Sequence, residues 1–307
     1  MLRLIAFRVA QFPLILAVIY LLTFLLVWVA PGSPFTNERN VDKAVLDSLK
    51  RKFHADSAWT FLAYYPKNVL TGDFGPSFVH KEWSVADIIR SALPISVTLG
   101  LFAMLIAVPV GVGIGTMAAV NRGGALDWIS LIIALVGISV PGFVVAAVLL
   151  IFAAETNWFP VGGWGSVKDM ILPGLALSLA PMAYIVRLTR VSMLDTLGWD
   201  YVRTARAKGL SRAVVIWKHS LRNAFLPTMT YLGPATATTM TGSFVIEKVF
   251  HIPGLGQHFV DSVTGRDQPL ILGVVMVESA LLLVFNLLVD LAYGWLDPRI
   301  DITAKAG

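Results

Sequence analysis

Six apolar runs divide this chain, and most are long enough to cross a lipid bilayer as a helix. They are Phe12 to Ala30, Leu93 to Val120, Trp128 to Ala154, Ile171 to Val186, Phe225 to Ile246 and Leu270 to Trp295. At about 1.5 Å per residue the first spans roughly 28 Å, close to the thickness of a bilayer core. The chain is 56% hydrophobic and only 14% charged, which does not suit a water-soluble fold. The pattern predicts an all-α, polytopic membrane protein with six transmembrane helices.

The first apolar run has a competing interpretation as a cleaved signal peptide. Signal peptides have apolar stretches of only about 7 to 15 residues and small residues at the cleavage site. Trp28 and Pro31 flank Ala30 where small residues would be needed. We therefore expect a retained helix.

The polar segments define the remaining organisation of the chain. A large polar insertion follows the first helix, with Val41, Val45, Leu49 and Phe53 at the spacing of a short amphipathic helix and a turn-rich stretch over 72–76. The predicted parts are a first segment with its helix (1–30), an extracytoplasmic loop region (31–92), a transmembrane core (93–296) containing a cytoplasmic loop (187–224), and a cytoplasmic tail (297–307).

The basic residues predict which side of the membrane each loop occupies. Six helices place both termini on one side, and the short loops of the other side hold only Lys168, Lys248 and Arg266. The side of the termini carries many more: Arg3, Arg8, Arg122, Arg187, Arg190, Arg203, Arg206, Lys208, Arg212, Lys218, Arg222, Arg299 and Lys305. Because basic residues favour the cytoplasmic side, we expect cytoplasmic termini.

Glycine and proline mark contacts and bends inside the apolar runs. Gly111, Gly113 and Gly115 resemble part of a dinucleotide-binding pattern, but no strand precedes them. Gly111 and Gly115 instead form a small-xxx-small pair, typical of close helix packing. Pro109 and the pair Pro141-Gly142 are expected to kink their helices.

A basic polar segment over 200–227, here called the basic hairpin, stands between two apolar runs. Asp200 is expected to cap a short helix over Tyr201 to Lys208, Gly209 to end it, and Ser211 to cap a second helix reaching toward Pro227. A cationic pair of helices held at a membrane face predicts a docking surface for a soluble partner. DNA binding by a helix-turn-helix is disfavoured because both ends are tied to membrane segments, whereas contact with anionic lipid is compatible with docking.

Known catalytic arrangements are poorly supported. The chain has no cysteine, all five histidines fall outside the apolar runs, and Ser139 has no histidine nearby in the membrane to act as its base. The runs hold only two carboxylates, Glu278 and Asp290, about three turns apart on one helix, which does not suit an aspartyl protease. No GxxxxGK[ST] motif is present, so any ATP-driven step needs nucleotide on another subunit. We expect no enzyme activity, metal site or cofactor on this chain.

Polar residues within the apolar runs are candidates for a translocation path. Carboxylates are costly in hydrocarbon, so Glu278 is expected either to line the path or to pack against a neighbouring helix or subunit. Thr239 and Ser243 lie on a stripe of small residues that predicts tight helix contact or a polar lumen. Asp290, with Asn286 one turn before it, is expected to be a structural anchor.

Several motifs together resemble a known transporter family. The residues of the basic hairpin from Arg203 through Gly209 to the Leu226-Pro227 close are similar to the EAA loop of ABC-importer permeases, although Arg203 and Thr204 replace the first two letters of that pattern. Further similarity lies in 30–35, 72–78, 231–234, 241–243, 252–257, 266–267 and 297–299. As a set they resemble oligopeptide and dipeptide importer permeases, and most of all the first permease subunit of the oligopeptide system.

The resemblance implies a type I ABC importer. It implies a homologous second permease, two ATPase subunits that carry ATP and Mg²⁺, and an extracytoplasmic peptide-binding protein that contacts the long first loop. The residues implied to couple this chain to the ATPase are Arg203, Thr204, Ala205, Arg206, Ala207, Lys208, Gly209 and Leu210. Alternative cargoes on the same scaffold are dipeptides, glutathione, nickel chelates and antimicrobial peptides. A self-sufficient channel or ion-driven carrier is the alternative from another class.

Overall fold

The computed structural model describes residues 2–30, 57–80, 82–241 and 243–296. Within these ranges the chain is helical and contains no β-strand beyond one isolated bridge between Pro76 and Ser84. The predicted amphipathic helix over 41–53 and the predicted tail over 297–307 lie outside the described residues.

Helices account for most of the described residues. In chain order they are α1 Leu2–Val29, α2 Ala58–Leu70, α3 Val85–Val120, α4 Ala125–Ser139, α5 Gly142–Thr156, α6 Val167–Leu197, α7 Asp200–Ala207, α8 over 212–224, α9 Leu226–Thr241, α10 Phe244–Val249, α11 Leu255–Gly265 and α12 Gln268–Leu296. Helix α8 contains a π-helical turn, Val215–Ser220. The prediction of an all-α fold is confirmed.

Several helices in the described ranges are long and apolar enough to cross a membrane. Four meet this test alone: Ile5–Val29, Val85–Val120, Val167–Leu197 and Gln268–Leu291. The pair α4 and α5 meets it together and adds a fifth span if counted as one. The remaining predicted span, Phe225 to Ile246, is divided between the 16-residue helix α9 and the short helix α10. The chain is therefore a polytopic membrane protein.

The third apolar run is broken rather than gently kinked. Helices α4 and α5 meet at an angle of 104°. Val140 and Pro141 adopt extended backbone angles between them, because the residue before a proline is disfavoured in the helical region. The kink expected at Pro141-Gly142 is confirmed in position and is larger than expected, whereas α3 runs through Pro109 without ending.

Two helices extend well beyond the apolar runs that predict them. Helix α3 begins at Val85, inside the segment predicted as an outer loop, because Ser84 and Asp87 form a reciprocal capping pair. Helix α6 continues to Leu197, so the predicted cytoplasmic loop over 187–224 begins with three turns of helix. Both extensions carry polar residues that interrupt the hydropathy signal.

The chain divides into two compact units. One comprises Met1–Ser96 with Ile252–Val284. Its core joins Val85, Ile88 and Ile89 of α3 to Leu255 and Leu270, and a second cluster packs α1 against α2. Asp267, fully buried, accepts hydrogen bonds from the Ser77 hydroxyl and from the Val79 amide at 3.2 Å, which fixes the turn-rich segment to the start of α12.

The other unit comprises Val97–His251 with Phe285–Gly307. Within this unit, α3 packs closely on α6. A Cβ atom added at Gly115 would lie 2.6 Å from the Val186 carbonyl oxygen, and one added at Gly111 would lie 2.8 Å from Ile185 Cγ2. The predicted small-xxx-small contact is confirmed, because no larger side chain fits where these backbones meet.

Candidate functional site: the basic hairpin

The first helix of the basic hairpin is α7. It begins at Asp200, and Trp199 occupies the N-cap position without a side-chain hydrogen bond. The prediction that Asp200 caps the helix is therefore wrong by one residue. As the first helical residue, Asp200 still places a negative charge at the positive end of the helix. Its carboxylate lies 3.5 Å from the Arg203 guanidinium, and both groups are largely exposed, so this ion pair contributes little to stability.

Helix α7 ends in the glycine turn that the sequence predicts. Gly209 has φ +78°, in the left-handed region. The Gly209 amide donates to the Arg206 carbonyl at 2.9 Å, and the Leu210 amide donates to the Ala205 carbonyl at 3.4 Å. These two bonds form a Schellman motif, which satisfies the last carbonyls of the helix and turns the chain sharply.

One face of α7 is buried and the other is open. Val202, fully buried, and Ala205, 7% exposed, pack against Val215 of α8, with Leu197 and Tyr201 at the edge of the cluster. The remaining members of the predicted coupling set are exposed: Arg203, Thr204, Arg206, Ala207, Lys208, Gly209 and Leu210. The structure therefore brings the coupling residues into one short element whose polar face is available for contact.

Tyr201 ties the two helices of the basic hairpin together. Its hydroxyl donates to the His219 carbonyl at 3.3 Å and accepts from the Asn223 side-chain amide at 2.8 Å. The His219 carbonyl lies within the π-helical turn, where the regular bonding pattern of an α-helix shifts by one residue. Helices α7 and α8 are thus joined by both a hydrophobic cluster and hydrogen bonds.

Helix α8 is joined in turn to the membrane helices. Ala224, Ala119 and Met193 form a buried cluster that includes α8, α3 and α6. The hydroxyls of Thr189 and Thr228 lie 3.2 Å apart and share a buried hydrogen bond between α6 and α9. Contacts therefore run without interruption from the exposed face of α7 to the helices of its unit.

An ion pair that the sequence did not reveal joins α6 to α4 within the same unit. Arg190 of α6 binds Asp127 of α4 through two hydrogen bonds, of which Nη2 to Oδ2 is 3.0 Å. The Gly123 amide donates to the same carboxylate at 2.9 Å. The Asp127 side chain is 7% exposed and that of Arg190 is 20% exposed. Arg190 was counted among the loop cations, but it is a helical residue whose charge is paired.

The candidate path residues Thr239 and Ser243 are buried within their unit. Thr239 donates to the Ala235 carbonyl at 2.6 Å and lies 3.6 Å from the Met104 sulfur. Ser243 donates to Glu247 Oε1 at 2.5 Å, and both residues are fully buried. The stripe thus makes the tight helix contact that was one of its two predicted interpretations, while a role in translocation stays a prediction. Glu247 was missed because it lies one residue beyond the apolar run.

Glu278 and Asp290 lie on α12. Glu278 is 8% exposed, in agreement with the expectation that a carboxylate in this helix turns away from lipid. Asp290 is half-buried. Lining of a path by Glu278 and an anchoring role for Asp290 beside Asn286 stay predictions. Within the described ranges, no three His, Asp or Glu side chains converge as a metal-ligand group.

Comparison with known proteins identifies the family. Residues 111–302 match the family described as binding-protein-dependent transport system inner membrane component. The match covers more than half of the chain and includes the basic hairpin, α6 and α9. The chain belongs to this family. It is therefore a multi-pass inner-membrane transport permease, and the resemblance inferred from the motifs is confirmed.

Individual relatives agree over most of the length. The dipeptide transport system permease protein DppB of Bacillus subtilis is 47% identical, with 94% of each chain covered. The oligopeptide transport system permease protein OppB of Haemophilus influenzae is 44% identical, with 91% of this chain and 92% of the relative covered. OppB of Escherichia coli is 42% identical, covering 93% and 94%.

A solved structure shows the fold. The inward-facing methionine ABC transporter MetNI matches with a TM-score of 0.54 and 16% identity, covering 68% of this chain and 96% of the matched chain. At this identity the match bears on architecture alone. The permease fold is that of a type I ABC importer.

Proposed function

We propose that this permease imports oligopeptides as one of two homologous membrane subunits, driven by ATP hydrolysis on two separate ATPase subunits. The observation that carries the proposal is the basic hairpin, in which a short helix packs through Val202 and Ala205 and leaves its polar face exposed. Such an arrangement would transmit a movement of a soluble partner, because the buried face of α7 is packed on α8 while its polar face stays accessible.

The energy source is proposed to lie outside this chain. No GxxxxGK[ST] motif occurs in the sequence, so the phosphate-binding loop of an ATPase has to come from a partner that holds ATP and Mg²⁺. ATP binding would move that partner, α7 would follow, and the contacts through Val215, Tyr201 and Ala224 would change the side to which the cavity opens. For an ATPase in the cytoplasm to reach α7, the basic hairpin and both termini would lie on the cytoplasmic side, in line with the distribution of basic residues.

The cargo is proposed from the relatives and not from a geometric site. Curated relatives at 41–47% identity are named as oligopeptide or dipeptide permeases. An extracytoplasmic binding protein would deliver the peptide, and the predicted outer loop region over 31–92 would contact it. Thr239, Ser243 and Glu278 remain the candidate path residues.

Reconstitution into liposomes tests the proposal. The chain is purified from native membranes with every copurifying subunit, and uptake of labelled peptides is measured with and without ATP and with an ATPase subunit whose phosphate-binding lysine is replaced. We expect uptake only with ATP, an intact ATPase and peptide-loaded binding protein. Uptake by this chain alone would instead support a self-sufficient channel or carrier.

Dipeptide import is the second candidate, favoured by the 47% identity to a dipeptide permease. Competition separates the two cargoes. Unlabelled tri- to pentapeptides should inhibit uptake more strongly than dipeptides if oligopeptides are the cargo. Inhibition by dipeptides alone would assign the second candidate, and inhibition by glutathione or a nickel chelate would assign one of the other cargoes.

A further inference from the structure

A groove distinct from the exposed face of α7 runs between α8 and α3 and continues along the start of α9. We call it the lateral groove, and its volume is about 1120 Å³. Val108 and Val112 of α3, together with Phe225, Leu226 and Met229, form an apolar wall. Val108 and Val112 belong to a helix that is long and apolar enough to cross a membrane.

The opposite wall is polar and cationic. Lys218 and Arg222 of α8 line it and are exposed, and the Tyr201 and Asn223 side chains lie beside them. No aspartate or glutamate is among the lining residues. The lateral groove therefore combines apolar side chains of α3 and α9 with positively charged side chains of α8.

Two further residues of the lateral groove, Gly113 and Trp217, bear on what it could bind. A Cβ atom built on Gly113 meets no heavy atom within 4 Å, in contrast to its neighbours Gly111 and Gly115. Trp217, 48% exposed, lines the polar side. Tryptophan, which has an apolar ring and a polar N–H, is enriched at the boundary between lipid and water.

We propose that the lateral groove binds one anionic phospholipid, with the phosphate between Lys218 and Arg222 and an acyl chain along the apolar wall. Charge complementarity favours an anion at the cationic wall. A peptide carboxylate would satisfy the cations, but its backbone amides and carbonyls would face the apolar wall without hydrogen-bond partners, which is costly. An acyl chain has no such groups. The inference goes beyond the proposed function and does not rest on it.

Fluorescence quenching by brominated lipids tests the proposal. The permease, with the subunits that copurify, is placed in nanodiscs of phosphatidylcholine that contain increasing fractions of brominated phosphatidylglycerol or brominated phosphatidylcholine. The chain has 9 tryptophans, so the Trp217 signal is taken as the difference from Trp217→Phe. We expect half-maximal quenching at a fraction of brominated phosphatidylglycerol on the order of tenfold lower than of brominated phosphatidylcholine, because two cations act near the headgroup.

Matched variants locate the lipid. The double variant Lys218→Gln/Arg222→Gln should abolish the preference for phosphatidylglycerol, while Arg212→Gln, which removes one positive charge from the same helix outside the lateral groove, should keep it. Gly113→Leu should fill the apolar space and reduce quenching by both lipids without removing a charge. This variant also serves if the double variant does not fold.

Five outcomes would overturn the assignment. Equal quenching by the two lipids, or a preference unchanged in the double variant, would exclude a headgroup site. Displacement by inorganic phosphate would identify a site for small anions, and displacement by a transported peptide would identify part of the cargo path. Unchanged quenching in Gly113→Leu would place the lipid elsewhere.

Discussion

Three glycines on α3 allow a sharp test of how the membrane helices pack. A Cβ atom at Gly115 would lie 2.6 Å from the Val186 carbonyl oxygen and 2.8 Å from Thr189 Cβ, and the first of these atoms belongs to a backbone that cannot move away cheaply. At Gly111 the neighbours are Ile185 Cγ2 at 2.8 Å and the Met182 carbonyl oxygen at 3.1 Å.

The expected magnitudes follow from these distances. Overpacking of this kind costs about 1–3 kcal/mol, against which alanine regains about 1 kcal/mol of helix propensity over glycine. We therefore expect a net loss of up to about 2 kcal/mol for Gly115→Ala. Gly113→Ala meets nothing within 4 Å and should be neutral or stabilising by up to about 1 kcal/mol. At about 2–4 °C per kcal/mol for a chain of this size, the two variants should differ by several degrees.

Thermal denaturation in detergent measures this difference. The unfolding of membrane proteins is often irreversible, so both variants and the parent protein are heated at one scan rate and compared in rank. Equal loss of Tm in Gly113→Ala and Gly115→Ala would show that the close approach of α3 and α6 at Gly115 does not determine stability, because helix propensity and solvent exposure would then outweigh it.

Three further predictions concern the ion pair of Asp127 and Arg190, the turn at Gly209 and the titration of His258. Arg190→Ala should destabilise the protein by about 3 kcal/mol because it leaves the Asp127 carboxylate buried without its Arg190 partner. Asp127→Ala in the same chain should restore part of this loss. Additive losses in a double-mutant cycle would contradict coupling between the two residues. Gly209→Ala should lower peptide-stimulated ATPase activity, because the left-handed conformation of residue 209 costs alanine about 1–2 kcal/mol. Gly209→Asn should retain more activity, because asparagine adopts this conformation more readily. Equal activity of the two variants would argue against a conformational requirement at this turn. Burial, followed by the charge of His80, lowers the pKa of His258 below its usual value of about 6.5, with Asp261 acting in the opposite direction. The depressed pKa means that stability is retained above the usual histidine pKa and declines as pH falls through it, and His258→Gln should flatten this decline in thermal scans between neutral and mildly acidic pH.

Features controlled by local chemistry were predictable from the sequence. The glycine turn at Gly209 followed from the tolerance of glycine for positive φ, and α12 begins and ends close to its apolar run because that run is continuous. The start of α3 at Val85 was missed because its first turns are amphipathic. They bury Val85 and Ile88 while Asp87 remains exposed, although the Ser84-x-x-Asp87 spacing was an available signal.

Features that depend on residues distant in sequence were not predictable. Asp127 and Arg190 are 63 positions apart, and nothing in either local pattern indicates that α4 and α6 bring them together. The 104° angle at Pro141 depends on how α4 and α5 pack on α6, whereas the proline by itself predicts only a bend. The π-helical turn in α8 likewise has no local signature that we identify.

The proposed coupling requires the exposed face of α7 to contact a separate ATPase subunit. Because the chain contains no cysteine, Arg206→Cys creates a unique attachment point, and Trp158→Cys, at an exposed position on the predicted outer side, is the matched control. Short-span thiol crosslinking is carried out in native membranes, and the linked partner is identified by mass spectrometry. We expect an ATP-sensitive crosslink from position 206 to a subunit with a nucleotide-binding motif, and none to that subunit from position 158. Labelling of position 206 only by reagents added from outside the cell, or the absence of a link from position 206 to such a subunit, would contradict docking of α7 on an ATPase.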